Sequence, residues 1–265
     1  MNLTLLRATL HQRRTATFWY AVGLATYSIF IVWYYPTMQK IDISAYMEQF
    51  PKELVAFFAG SMTELTTFGG YLATEYLGFI WVLIIAAAGI TFATKCLSSE
   101  IDAGTMELLL SQPISRRVLV TTRAVALALF LVVQLLATTV PIYLTALAVD
   151  VTVDAGNLAI LTAGGFLLAL AISGVAFLLS SASRESGRPA AILGGLLGVM
   201  WVVHFMATSA EWAEALEVVN LFKYWRPAEL IEQGTMPVEA WWVLAAVAAL
   251  SIFASVLVFA RRDVA

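Results

Sequence analysis

Apolar residues run along this chain in six long blocks, each bounded by polar or charged stretches. A bilayer-spanning helix needs about 20 mostly apolar residues. Six segments reach that length: 17–37, 71–94, 122–149, 157–180, 190–208 and 238–260. The pattern predicts an all-α integral membrane protein, a single transmembrane domain over 1–265 with no room for a large soluble one. Within the spans, Gly194 and Gly198 form a small-x-x-x-small pair, and Gly164, Gly165 and Gly174 mark the fourth block. Small residues let helix backbones approach closely in lipid, so both sets predict packing within a six-helix bundle, with a dimer interface as the alternative.

Two shorter elements carry a helical period. In residues 1–14, MNLTLLRATLHQRR, Leu3, Leu6 and Leu10 share one face, while Arg7, His11 and Arg14 share another. This is either an amphipathic helix lying in the interface, basic side toward phosphate or water, or a plain positive flank of the first span. The second element is EIDAGTMELLLSQPISR, residues 100–116, between spans two and three. Ser98 or Ser99 can cap a helix, and Glu100 and Asp102 then sit in its first turn, where carboxylates complement the dipole. Ile101, Thr105, Leu108 and Leu109 form one stripe, and Glu107 lies on the face of Glu100. Pro113 ends the element, because it lacks an amide hydrogen and its ring disfavours continuation. The spacing predicts one helix over 99–112, too short to span and lying across the membrane surface, with Arg116 and Arg117 anchoring the return. A bare surface connector is the plain alternative.

Two outer segments are also helical in pattern. In 50–58, Pro51 precedes Leu54, Phe57 and Phe58. In 211–222, Trp212, Leu216, Val219 and Phe222 form an apolar face opposite Glu211, Glu214 and Glu217. Both read as interfacial or re-entrant helices at the outer mouth, or as surface helices without a gating role.

Composition sharpens this picture. The 265 residues are 61% hydrophobic and 12% charged, and the net charge is −3. Soluble domains carry about 25% charged residues, so the chain belongs in a membrane. A slightly acidic chain without a basic patch interleaved with aromatics argues against nucleic acid as a partner. Cys96 is the single cysteine, which excludes an internal disulfide, and His11 and His204 have no metal-ligand spacing. Arg13-Arg14 precedes a long span rich in Trp and Tyr without a cleavage site, so the first span is expected to be retained. With the N-terminus inside, eleven of the fifteen Lys and Arg residues fall inside, which places both termini in the cytoplasm. Trp33, Tyr34 and Tyr35 at the end of the first span, and Trp241 and Trp242 at the start of the last, suit interfacial belts.

Polar groups within spans are candidates for a transport path. Gln134 lies near the middle of span three, and Glu75 and His204 lie near the outer ends of spans two and five. Interhelical hydrogen bonding explains Gln134 without a pathway role, and interfacial solvation explains the other two. No Gly-x4-Gly-Lys-Ser/Thr loop and no catalytic constellation occurs, so the chain is not expected to be an enzyme by itself.

Glu100-x3-Gly104-Thr105-x-Glu107-Leu108-Leu109-Leu110-x2-Pro113-Ile114-Ser115-Arg116 resembles the E-x3-GT-x-E-LL-x2-P-[IV]-S-R signature of ABC transporter permease subunits of the type-2 exporter class. Tyr35-Pro36, Phe50-Pro51-x2-Leu54, Phe57-Phe58-x-Gly60, Gly70-Tyr71-Leu72 and the 180–189 loop are similar to the same group in order, so the likeness covers essentially the whole chain. The resemblance implies a plasma-membrane permease, of a prokaryotic kind, that pairs with a second copy or a paralogue. It also implies a separate cytosolic ATPase that holds ATP and Mg, this chain binding no cofactor of its own. The 99–112 element then becomes a coupling helix docking on that ATPase. Ile101, Thr105, Leu108, Leu109 and Leu110 would pack in its groove or against the spans. Glu100, Asp102, Glu107 and Arg116 would make polar contacts to the ATPase or to the N-terminal helix. Gly104 would allow close backbone approach, Pro113 would set the exit, and Ser115 belongs to the same signature. ATP-driven motion of such a helix would switch the permease between two access states. A channel or secondary transporter is the alternative, expected to carry intramembrane charges or broken helices at mid-depth; a membrane-embedded enzyme or scaffold would need a polar catalytic cluster.

Overall fold

A computed structural model of the protein describes residues 2–40, 66–111, 114–207 and 211–262, and within them there are helices and turns but no strand. Among the described residues, six helices are long and apolar enough to cross a membrane. The segment at 50–58, together with Gln112, Pro113 and Thr208, lies outside the described residues.

The first helix, α1 (Leu3–Met38), begins at Asn2, whose side chain accepts hydrogen bonds from the Thr4 and Leu5 amides. It runs through residues 14–17 without a break, so the expected surface helix over 1–14 is the lower part of one rod. The reason is packing. Leu5 and Thr9 are buried, and Leu6 and Leu10 are partly so. The Asn2 amide donates to Thr122 Oγ1 of the neighbouring long helix at 3.2 Å. Arg7, His11 and Arg14 are all exposed, as their shared face predicts.

Span two is not one helix. It consists of α2 (Phe68–Leu72), a π turn (Ala73–Leu77) and α3 (Ile80–Cys96). The Gly78 amide reaches back five residues to the Ala73 carbonyl, and the Leu77 carbonyl accepts a 2.8 Å hydrogen bond from Trp225 Nε1. A backbone group released by the break is thus satisfied from the far end of the chain, as a buried carbonyl requires. Trp225 also stacks on Trp81, with ring centroids 5.2 Å apart.

Beyond the short helices α4 (Ser98–Asp102) and α5 (Thr105–Leu110) come α6 (Arg116–Ala148) and α7 (Ala155–Ala182). Ser115 caps α6 by accepting from the Val118 amide, and Asp154 caps α7 by accepting from Asn157. Then follow α8 (Arg188–Met206), α9 (Glu211–Leu216), α10 (Pro227–Gln233) and α11 (Val238–Arg261). The core lies where α7 packs on α11, α3 and α6, and α1 packs along α6. Gly89 of α3 is where two backbones come close: a Cβ there would stand 1.9 Å from Ser173 Oγ of α7. Gly164 and Gly165 are filled against Met236, Leu135 and Trp81, as their spacing predicts.

Gly194 and Gly198 are different. No atom lies within 4 Å of a Cβ built at either, so their expected packing inside the bundle is overturned. Only Pro189, Leu193 and Leu197 of α8 are buried, a single narrow stripe. The predicted helix over 211–222 is broken too. It is α9 followed by 3-10 turns at Glu217–Val219 and Leu221–Tyr224. Buried Asn220 redirects the chain, accepting from the Phe222 amide and donating to the Met200 carbonyl. Trp212, Leu216 and Val219 consequently stay exposed while Phe222 is buried.

Candidate functional site

The end of α3 sets up the candidate site. A helix terminus leaves its last carbonyls without intrahelical partners, and those carbonyls attract cations. Two arginines from other helices supply the donors. Arg13 Nη2 of α1 donates to the Lys95 carbonyl at 2.7 Å, and Arg123 Nη1 of α6 donates to the Cys96 carbonyl. Arg123 is buried, and its Nη2 forms an ion pair with the Glu100 carboxylate. The chain leaving α3 is therefore fastened to both long helices before it reaches the surface.

Ser98 to Asp102 form one helical turn, and Ser98 Oγ donates to the Thr94 carbonyl. The expected continuous helix over 99–112 then breaks. Gly104 has φ +70°, the left-handed region, and opens α5 as a separate helix. No atom lies within 4 Å of a Cβ built there, so backbone conformation, not the expected close approach, is what requires glycine. The break re-aims the side chains. Met106 is fully buried, Ile101 and Leu109 pack against the core, and Thr105, Glu107 and Leu108 face out, Leu108 being 72% exposed. Thr105 Oγ1 donates back to the Glu100 carbonyl, which closes the corner.

Further ties surround this element. Asp102 accepts from the Ser186 amide in the α7–α8 turn at 3.4 Å, and Arg116 Nη1 donates to the Arg262 carbonyl after α11. Lys95, Arg116, Arg123, Arg184 and Arg262 thus gather at one end of the bundle, the end where α1 starts. Leu110 belongs to α5, and Ser115 is the cap of α6.

Gln134, Glu75 and His204 are not brought together. Gln134 is buried and its Nε2 donates to the Thr17 carbonyl of α1, the interhelical role open to it from sequence. His204 Nδ1 lies 2.7 Å from Glu217 Oε1, and the ring stacks on Phe222. Glu75 sits half-buried in the π turn.

Sequence reading missed Arg123 and Met106. Arg123 counts as one more inside charge until Glu100, 23 residues away, is seen beside it. Met106 falls off the stripe that a continuous helix would make, and only the break at Gly104 turns it inward. Among the described residues, no group of three or more His, Cys, Asp or Glu could hold a metal ion.

The family model described as ABC-2 family transporter protein matches residues 11–264. No curated protein matches the chain. With six apolar helices and a match over nearly its whole length, this multi-pass membrane protein belongs to the ABC-2 transporter family, as the permease component of an ABC transporter.

Proposed function

We propose that the chain is the permease subunit of an ATP-driven exporter, working as one unit from 1 to 265 in a prokaryotic plasma membrane. It pairs with a second copy or a paralogue, and a separate cytosolic ATPase holds ATP and Mg. Both termini and the α4–α5 corner face that ATPase. The Lys and Arg residues gathered at this end support the orientation.

One observation carries the reading: α5 offers Thr105, Glu107 and Leu108 to the outside while Met106 anchors it from beneath. An exposed large apolar side chain on a short, fastened helix suits a docking surface. Force applied there reaches α6 through Glu100 and Arg123, and α1 through Lys95 and Arg13. The corner is a rigid handle by which nucleotide-driven closure of the ATPase biases two access states. ATP chemistry belongs to the ATPase; this chain contributes docking, transmission and the path.

The test is co-purification of the two subunits from membranes. Leu108→Asp and Glu107→Arg change groups that bury nothing, so membrane yield and thermal unfolding should match the wild type to within about 0.5 kcal/mol. Recovery of the ATPase with either variant should fall at least about tenfold, equivalent to about 1.4 kcal/mol of docking energy. Full recovery of an active complex with both variants would sink the docking assignment.

A further inference from the structure

A cavity of about 530 Å³ opens between the end of α7, the start of α8 and the residue after α11. Its apolar wall includes Leu179, Pro189 and Ile192, which continue the membrane-spanning faces. Its rim carries Arg184, Arg188 and Arg262. Arg262 is held in place, because its Nη1 donates to the carbonyls of Ser181 and Ser183 at 2.8 and 2.9 Å. Nε and Nη2 of Arg262 have no partner among the described residues. Arg184 and Arg188 are exposed and make no ion pair among those residues.

Among the described residues, two carboxylates near the cavity, Glu185 and Asp102, stand against three guanidinium groups. Glu185 lies on the same rim, and Asp102 is engaged by the Ser186 amide. Asp263 follows in sequence and lies outside the described residues. Burial and, less strongly, the neighbouring Arg184 push the pKa of Arg262 down from its ordinary value.

We propose that this cavity is a binding site for the phosphate of an anionic phospholipid headgroup in the cytoplasmic leaflet. Guanidinium groups match phosphate oxygens in geometry and stay charged. The choice of lipid over a free anion rests on the wall: Leu179, Pro189 and Ile192 give an acyl chain an apolar surface just where three spanning helices end. Basic pockets between spanning helices on the inner side take anionic headgroups for this reason. The site also adjoins the coupling end, since Ser186 holds Asp102 and the Arg262 carbonyl holds Arg116.

The leaflet rests on the orientation given under the proposed function, which is checked separately by reacting Arg188→Cys with an impermeant maleimide from either side of the membrane. The binding test needs no ATPase. The full chain is purified in detergent and offered equimolar dioleoyl phosphatidylglycerol and dioleoyl phosphatidylcholine, and retained lipid is counted by native mass spectrometry. The wild type should prefer phosphatidylglycerol, and Arg184→Gln with Arg188→Gln should cut that preference about tenfold or more. Arg184→Lys with Arg188→Lys, which keeps the charge and controls for folding, should retain most of it. Arg7→Gln with Arg14→Gln, exposed charges of α1 that do not line the cavity, should leave it intact. The proposal falls if the Gln pair in the cavity changes nothing, or if the α1 pair costs as much. It falls equally if millimolar inorganic phosphate displaces the lipid, since the site would then take a free anion.

Discussion

Helices α7 and α8 adjoin in sequence and both carry closely spaced glycines, yet one is enclosed and the other is bare. Around α7 the glycines meet Leu135, Trp81, Met236 and Ala248, and Gly89 of α3 lies against Ser173. On α8, Gly194, Gly195 and Gly198 meet nothing, while Ile192, Leu196 and Val199 beside them are exposed. Small-residue spacing therefore marks a surface suited to close approach but does not say whether the surface that approaches belongs to the same chain. The held side is where the bundle defines its own shape. The bare side is where it meets its surroundings.

The largest expected effect comes from cutting a tie on the held side. Arg123→Ala strands the buried Glu100 carboxylate and frees the Cys96 carbonyl, and removing one partner of a buried pair costs about 3–5 kcal/mol. Thermal unfolding in detergent should show a large loss or no folded protein; a near-wild-type curve would mean that Glu100 finds water. Next comes Gly89→Ala, which drives a Cβ into Ser173 Oγ and should cost about 1–3 kcal/mol by overpacking α3 against α7. Gly104→Ala meets no steric obstacle and pays only for its left-handed backbone, about 1 kcal/mol. No loss at all is expected on the bare side: Gly194→Ala with Gly198→Ala meets no neighbour, and helix propensity should stabilise the isolated chain by up to about 1 kcal/mol per site. If that pair destabilised as much as Gly89→Ala, the contrast between α7 and α8 would collapse.

Much of the fold was legible because bilayer physics writes itself in long apolar runs: each of the six runs holds one of the six helices long and apolar enough to span, although in 71–94 that helix begins only at Ile80. The signature around 100–116 likewise singled out the corner that Arg13 and Arg123 fasten. What stayed hidden depended on partners remote in sequence. An unbroken apolar run over 71–94 gives no sign of the π turn, whose Leu77 carbonyl is satisfied by Trp225, 148 residues on. Gly104 was visible as a glycine, but periodicity assumes a straight helix and so put Thr105 and Leu108 on the stripe that Met106 interrupts. Asn220, read as one residue within an amphipathic run, turns the chain because Met200 and Phe222 both engage its side chain.

The unbroken first helix has a mechanical consequence. At 1.5 Å per residue its 36 residues form a rod about 54 Å long, well beyond the roughly 30 Å of a bilayer's hydrocarbon core. Its lower third stands beside the end of α3, pinned through Arg13, while Tyr35 near the far end packs on Phe68 and Tyr71. A rod of that length is a lever: tilting it by about 5° about one end sweeps the other through roughly 5 Å, close to one helical turn. A hinge at residues 14–17 would have absorbed such a tilt at the membrane surface; the continuous helix carries it across.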